Sequence, residues 1–316
     1  MSRRTRRTLL IVAAFLVLVA LAVVLRSKAP PEAARLLPES DGIIYVDLRP
    51  IRAVWHKELK PPVHSAEYQE FINAIGIDPE RDLNQVAIGL HRMQDPTGPN
   101  GPVAYSLVLV GKITGERLNA WLDAHAVSRE TYDGHTIYSV PSEGRTVRVA
   151  QIGYDTIAAS NYPTPEKIHS ILDRHRTAAW PLSGSTLLEQ HYHDVPLLSL
   201  AWGVGQIGLP FSESGAIHIF GFDLPLEPDS TIIASLRWTG SLHLRVEEIA
   251  PSEATATSQA ADLATLVTLA RGITPNLGAN PANNTLKQLL QTAEVTQHGE
   301  RVVVTAAVPG NIFSAL

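Results

Sequence analysis

The stretch LRWTGSLHLRV, residues 236–246, has the pattern of a β-hairpin. Apolar and polar residues alternate in LRW and again in LHLRV, and alternation with a period of two is typical of strands with one buried face. The intervening Thr239-Gly240-Ser241 has the residues of a tight turn. The stretch therefore predicts antiparallel strands.

The same reasoning extends along the chain. Strands are predicted at 43–48, 85–91, 104–113, 136–140, 146–152, 156–160, 231–238, 242–249 and 301–308. Four segments instead space their apolar residues as one narrow helical stripe, with Ser65, Thr114 and Thr164 as predicted caps of the first three. The stripes are Tyr68/Phe71/Ile72/Ile75, Leu118/Trp121/Leu122/His125, Ile168/Ile171/Leu172/His175 and Leu286/Leu289/Leu290/Ala293. We therefore predict an α+β fold of antiparallel sheets covered by amphipathic helices on one face.

The domain organisation is interpreted from breaks in these patterns. A break at 177–185 (TAAWPLSGS) predicts two similar α+β halves, 41–177 and 185–316. One continuous two-layer domain is the alternative. Residues 26–40 are rich in proline and alanine and lack apolar periodicity, so they are predicted to form a semi-extended tether.

The segment before the tether predicts a membrane anchor. Residues 8–25, TLLIVAAFLVLVALAVVL, carry no charge and would span about 27 Å as a helix, close to the hydrocarbon thickness of a bilayer. Four arginines within 1–7 place that short segment in the cytoplasm. We expect a single-pass protein of the inner membrane, with the lipid bilayer as a partner and the body in the periplasm. A signal peptide cleaved near Ala20-Leu21-Ala22, or a twin-arginine signal, would export the body equally well.

Composition excludes several function classes. The chain has no cysteine, which excludes disulfides, thiolate metal sites and a cysteine nucleophile. The part after residue 28 has 20 basic and 31 acidic residues, a net charge of −11. An acidic body repels nucleic acid, so we expect no nucleic-acid partner.

The best metal-ligating pattern is His191-Tyr192-His193-Asp194. Two histidines at i and i+2 share one face of an extended segment, and Asp194 could be a ligand or orient a ring. A metal site needs a further ligand that the pattern does not supply. The alternative interpretation of His191, His193 and Asp194 is a polar loop or a helix end.

Two glycine motifs suggest nucleotide binding, but neither has the required context. Residues 203–208, GVGQIG, match the dinucleotide fingerprint, yet no amphipathic helix follows, so a glycine-rich loop is predicted. Gly111-Lys112-Ile113-Thr114 lacks the upstream glycine of a phosphate loop, since Ser106 occupies that position. No G-x-S-x-G or H-E-x-x-H motif occurs. We therefore expect no cofactor and identify no catalytic residue.

Several longer segments carry a resemblance. They are LLPESDGIIYVDLRPI (36–51), GIDPERDLNQVAIG (76–89), LVGKITGERLNAWL (109–122), YDGHTIYSV (132–140), DTIAASNYPTPEKIHSILD (155–173) and VPGNIF (308–313). In this order they resemble uncharacterised, membrane-anchored bacterial proteins that carry a domain of unknown function. The resemblance implies an extracytoplasmic α+β body and no particular reaction.

Three functional hypotheses follow. The first is a membrane-anchored extracytoplasmic module that binds an envelope protein or another envelope component. The second is an envelope enzyme or metal-binding protein that uses His191 and His193. The third is a carrier of a hydrophobic ligand, which a concave antiparallel sheet could hold.

Overall fold

A computed structural model of the protein describes residues 29–58, 64–177, 184–206, 216–219, 222–225, 230–274 and 281–309. Twelve strands within these ranges form one antiparallel sheet, and two further strands pair with each other. The α+β class and the antiparallel sheet predicted from the sequence are therefore confirmed.

The strands have the following bounds. They are β1 Gly42–Asp47, β2 Leu83–Arg92, β3 Val103–Gly111, β4 Ser128–Tyr132, β5 His135–Ser142, β6 Arg145–Ile152, β7 Thr156–Ser160, β8 Ser199–Gln206, β9 Ala216–Ile219, β10 Phe222–Pro225, β11 Thr231–Trp238, β12 Ser241–Ile249, β13 Glu294–His298 and β14 Arg301–Pro309. The order across the large sheet is β13-β14-β12-β11-β8-β1-β2-β3-β7-β6-β5-β4, and β9 pairs with β10. The hairpin of β11 and β12 is present, and Gly240 at its turn has φ +87°.

The helices have the following bounds. They are α1 Glu32–Arg35, α2 Leu48–Glu58, α3 Ala66–Ile75, α4 Pro79–Asp82, α5 Gly115–His125, α6 Glu166–Thr177, α7 Thr186–His191, α8 Glu253–Ile273 and α9 Pro281–Thr292. The predicted ends of α3 are confirmed. The Ser65 hydroxyl accepts a hydrogen bond from the Tyr68 N–H, and Gly76 ends the helix with φ +72°.

The helices cover both faces of the sheet, so the prediction of a single covered face is wrong. Adjacent residues of β5 show this, because neighbouring side chains on a strand point to opposite faces. Ile137 packs in one core cluster with Ile168 and Leu172 of α6. Tyr138 packs in a second cluster with Leu122 of α5. Strands buried on both faces can carry few polar residues, and β7, TIAAS, is buried along its whole length.

The segment predicted as a tether is partly core. Residues 32–35 form α1, and Ala33, Ala34, Leu36 and Leu37 are fully buried in the first cluster. Small side chains let this short helix approach the sheet closely. The tether prediction is therefore wrong for residues 32–37, because alanine was interpreted as linker composition when it serves close packing.

The remaining predictions concern the anchor and the two halves. The run 8–25 lies outside the described residues. No helix within the described ranges is long and apolar enough to cross a membrane. β1 of the first predicted half pairs with β8 of the second, so the sheet continues across the predicted boundary.

Candidate functional site

A pocket of about 660 Å³ opens where β1 ends and β8 begins. Four separate segments build it: the chain around α1, the β1–α2 junction, the start of β2, and the stretch from the end of α7 into β8. Its lining residues are Ala29, Pro30, Pro31, Glu32, Arg35, Tyr45, Asp47, Arg49, Gln85, Tyr192, Val195, Pro196, Leu197, Leu198, Ser199 and Trp202. The volume is typical of a site for a small organic ligand.

Aromatic rings form the inner wall of the pocket. Tyr45 of β1 and Trp202 of β8 are buried and stack with ring centroids 5.4 Å apart. Tyr192 meets the edge of Trp202 at 5.5 Å. Burial raises the pKa of Tyr45, with a further contribution from Asp47, and burial alone raises the pKa of Tyr192. Both hydroxyls therefore stay protonated at neutral pH.

One hydrogen-bond acceptor in the pocket has no partner among the described residues. The side-chain Oε1 of Gln85 is buried and accepts no hydrogen bond from that part of the chain. Gln85 lies opposite Asp47 in the β1–β2 register, at the pocket end of both strands. A buried amide oxygen without a donor costs about 1–3 kcal/mol, so a ligand N–H or O–H placed there would be favourable.

The charges that line the pocket are balanced. Glu32 and Asp47 are acidic, and Arg35 and Arg49 are basic. Asp47 accepts two hydrogen bonds from the Arg49 guanidinium, at 3.0 and 2.7 Å, and one from the Arg49 backbone N–H at 3.0 Å. The bond to Asp47 raises the pKa of Arg49. This closed ion pair leaves the pocket suited to a polar ligand group with no large net charge.

The predicted metal candidates flank Tyr192 and are not among the residues that line the pocket. His191 ends α7, and His193 and Asp194 belong to the 3₁₀ turn Tyr192–Asp194, so the extended segment predicted for them is wrong. The segment is the end of a short helix followed by this turn. The turn does direct Tyr192, the residue between the two histidines, towards Trp202.

Asp194 already has a partner. Its Oδ1 accepts a hydrogen bond from Arg301 at 2.8 Å, while its Oδ2 lies 3.9 Å from His191 Nδ1 and 3.5 Å from His193 Nε2. Burial lowers the pKa of His191. No group of three or more histidine, aspartate or glutamate side chains with metal-binding geometry occurs in the described part of the chain. The two histidines and Asp194 thus lie close together, and the carboxylate of Asp194 is hydrogen-bonded to Arg301.

The dinucleotide-like glycines lie in the centre of the sheet. Gly203 and Gly205 belong to β8, which pairs with β1 on one side and β11 on the other. The predicted glycine-rich loop is therefore wrong for residues 203–206, and Gly208 lies outside the described residues. Backbone N–H groups engaged in two strand ladders are not free to hold a phosphate.

The sequence carries no motif that signals a buried histidine–serine pair. His91 Nε2 lies 2.8 Å from Ser106 Oγ, and Ser106 donates to Ser160 Oγ at 3.2 Å. All three residues are buried. Burial, reinforced by Lys167, lowers the pKa of His91 to about 3. A neutral histidine enclosed in this way bonds one core hydroxyl and is shut off from solvent.

Comparison with solved structures gives a distant likeness. Crystal forms III, I and IV of TP0453 align over 90%, 90% and 89% of this chain and 96%, 96% and 95% of theirs, with 10%, 10% and 11% identity and TM-scores of 0.48, 0.45 and 0.43. No family model matches the chain, and no curated protein does. The functional assignment therefore rests on the geometry of the pocket.

Proposed function

We propose that the protein is a membrane-anchored, extracytoplasmic binding module whose pocket holds a small amphipathic ligand. This proposal rests on the buried Oε1 of Gln85, which has no partner in the described ranges and lines the same pocket as Tyr45 and Trp202. The rings would contact a flat or aliphatic body, and Gln85 would accept a hydrogen bond from an N–H or O–H group of the ligand. The ligand therefore combines an apolar body with at least one donor.

The anchor is the second part of the proposal. The uncharged run 8–25 would hold the body on the periplasmic side of the inner membrane. Ala29, the first described residue, lines the pocket. Ligand binding would thus take place close to the membrane, as expected for a module that serves the envelope. An envelope protein that docks on the ligand-bound body would be a further partner.

The pocket can be tested with N-phenyl-1-naphthylamine, a neutral apolar probe with a single N–H donor. We expect saturable binding, measured by probe fluorescence, to the body expressed from Ala29. Gln85→Leu removes the acceptor and should weaken binding about tenfold, the effect of one buried hydrogen bond. Gln206→Leu, at the exposed far end of β8, is the matched control and should bind as the wild type does.

A pocket-filling variant makes the test decisive. Ser199 lines the pocket, so the larger side chain of Ser199→Trp should occupy the space and abolish binding. Probe binding that persists in Ser199→Trp would show that the probe sits elsewhere and would contradict the proposal.

A further inference from the structure

Two leucines on the pocket rim are unusually exposed. Leu198 is 86% exposed and Leu197 is 58% exposed. Leu198 also has φ +62°, a left-handed backbone conformation that a leucine rarely adopts. The exposed side chain is therefore unfavourable in water, and transfer of the loop into an apolar medium would remove that cost. The positive φ shows that the backbone holds Leu198 outward at a conformational cost.

The chain enters the body beside this loop. Ala29 lines the same pocket as Leu197 and Leu198. Since α1 packs in the core, only residues 26–28 separate the end of the predicted membrane segment, Leu25, from Ala29. Four residue-to-residue steps reach at most about 14 Å. A body tied this closely to an anchor must keep the pocket rim next to the bilayer.

Charge favours the same orientation. Arg26 and Lys28 stand in the short connection, whereas the part after residue 28 carries a net charge of −11. A bilayer surface with anionic head groups attracts the connection and repels the rest of the body. The rim around Leu197 and Leu198 is therefore the part of the body that meets the membrane.

We propose that the Leu197–Leu198 loop inserts into the interfacial layer of the lipid bilayer, so that the pocket opens at the membrane surface. The proposal rests on the anchor of the proposed function and adds a second, peripheral contact. Apolar side chains at that depth exchange water for acyl chains. The ligand of the pocket would then enter from the bilayer side.

The absence of cysteine in the chain allows a direct measurement. The full chain carrying Leu198→Cys is labelled with bimane and reconstituted in vesicles of phosphatidylglycerol and brominated phosphatidylcholine. We expect bromine to quench the label and aqueous iodide not to reach it. Val127→Cys is the matched control, since Val127 is 70% exposed and precedes the edge strand β4, seven strand positions from β8. Its label should be quenched by iodide alone.

Two further variants separate membrane contact from folding. Leu197→Cys repeats the measurement at the neighbouring position in case labelling at 198 perturbs the loop. Leu198→Asn should fold at least as stably as the wild type, because asparagine tolerates a positive φ. The same variant should reduce bromine quenching of a label at Leu197→Cys.

Each contrary outcome has a distinct meaning. If the chain stays in the membrane but iodide alone quenches the label at position 198, the membrane contact of the loop is contradicted and the anchor is not. A label that neither reagent quenches would show that protein covers the loop, which also overturns it. Release of the chain by alkaline carbonate would contradict the anchor, and with it the membrane contact of the loop, whereas the ligand pocket is tested separately by probe binding.

Discussion

Tyr45 and Trp202 face each other across the β1–β8 ladder, and their rings stack 5.4 Å apart with planes inclined by 26°. The two residues are far apart in sequence, and only the pairing of the central strands brings them together. This contact joins the two predicted halves at the inner wall of the pocket. The site therefore depends on the middle of the sheet, where a change in register would dismantle it.

The burial of α1 predicts that residues 32–37, which lie within the predicted tether, behave as core. Leu37→Ala should lower the free energy of unfolding by about 2–5 kcal/mol, because Leu37 is fully buried. Leu269→Ala, at an exposed position of α8, is the control and should change it by less than about 1 kcal/mol. Urea unfolding followed by circular dichroism measures both. Equal, small effects would show that residues 32–37 do not pack on the sheet.

Local signals in the sequence predicted the parts of the fold that local chemistry determines. Ser65, Gly76 and the turn at Gly240 act within a few residues of themselves, so caps and hairpins could be recognised. The 21-residue helix α8 was missed because its alanines and threonines form no stripe of large apolar residues. β8 was missed because glycines at its centre look like a loop.

The pocket could not be predicted from the sequence, because it joins four segments through strand pairing and has no continuous motif. Tyr45 looks like an ordinary strand residue until Trp202 is placed beside it. Conversely, the spacing of His191 and His193 in the sequence suggested a metal site. The structure places it on a helix end where Arg301 already holds Asp194.

Acid should destabilise the protein through His91. The pKa of His91 is about 3 in the folded protein and about 6.5 in an unfolded chain. The unfolded state therefore binds the proton more readily between these values, and stability falls as the pH drops from about 6.5 towards 3, by up to about 1.4 kcal/mol per pH unit. His91→Gln does not titrate and should lose less stability between about pH 7 and pH 5. Identical losses in wild type and variant would contradict the prediction.

The ion network around the buried carboxylate of Glu247 should be sensitive to the loss of one arginine. Arg301 contacts Glu247 at 2.5 Å and Asp194 at 2.8 Å, and Glu247 is 2% exposed. Arg301→Leu leaves both carboxylates short of a partner, although Arg245 still holds Glu247 at 2.6 Å. We expect a loss of up to about 3 kcal/mol in unfolding free energy. Arg176→Leu, in an exposed pair, should cost less than about 1 kcal/mol; a similar cost for both variants would show that burial of the network is unimportant.

Two glycines in the sheet differ in how much room they leave for a side chain. A Cβ on Gly203 would lie 3.5 Å from the Ile43 carbonyl oxygen, an ordinary contact, so Gly203→Ala should fold normally. A Cβ on Gly111 would lie 2.2 Å from the Asp82 carbonyl oxygen, so Gly111→Ala should be destabilised.

Calorimetry with NAD, NADP and ATP should show no binding to the wild type. Micromolar binding that is lost in Gly205→Val would show that residues 203–208 do bind a nucleotide.

The ligand that co-purifies with the full chain from its own membrane is the decisive test of the Tyr45–Trp202 pocket. The full chain is purified from membranes, and small molecules released on denaturation are identified by mass spectrometry alongside the Ser199→Trp variant. We expect an amphiphile with an N–H or O–H donor in near-stoichiometric amount from the wild type and none from the variant. The same molecules in the same amounts from both proteins would contradict a ligand site in the Tyr45–Trp202 pocket.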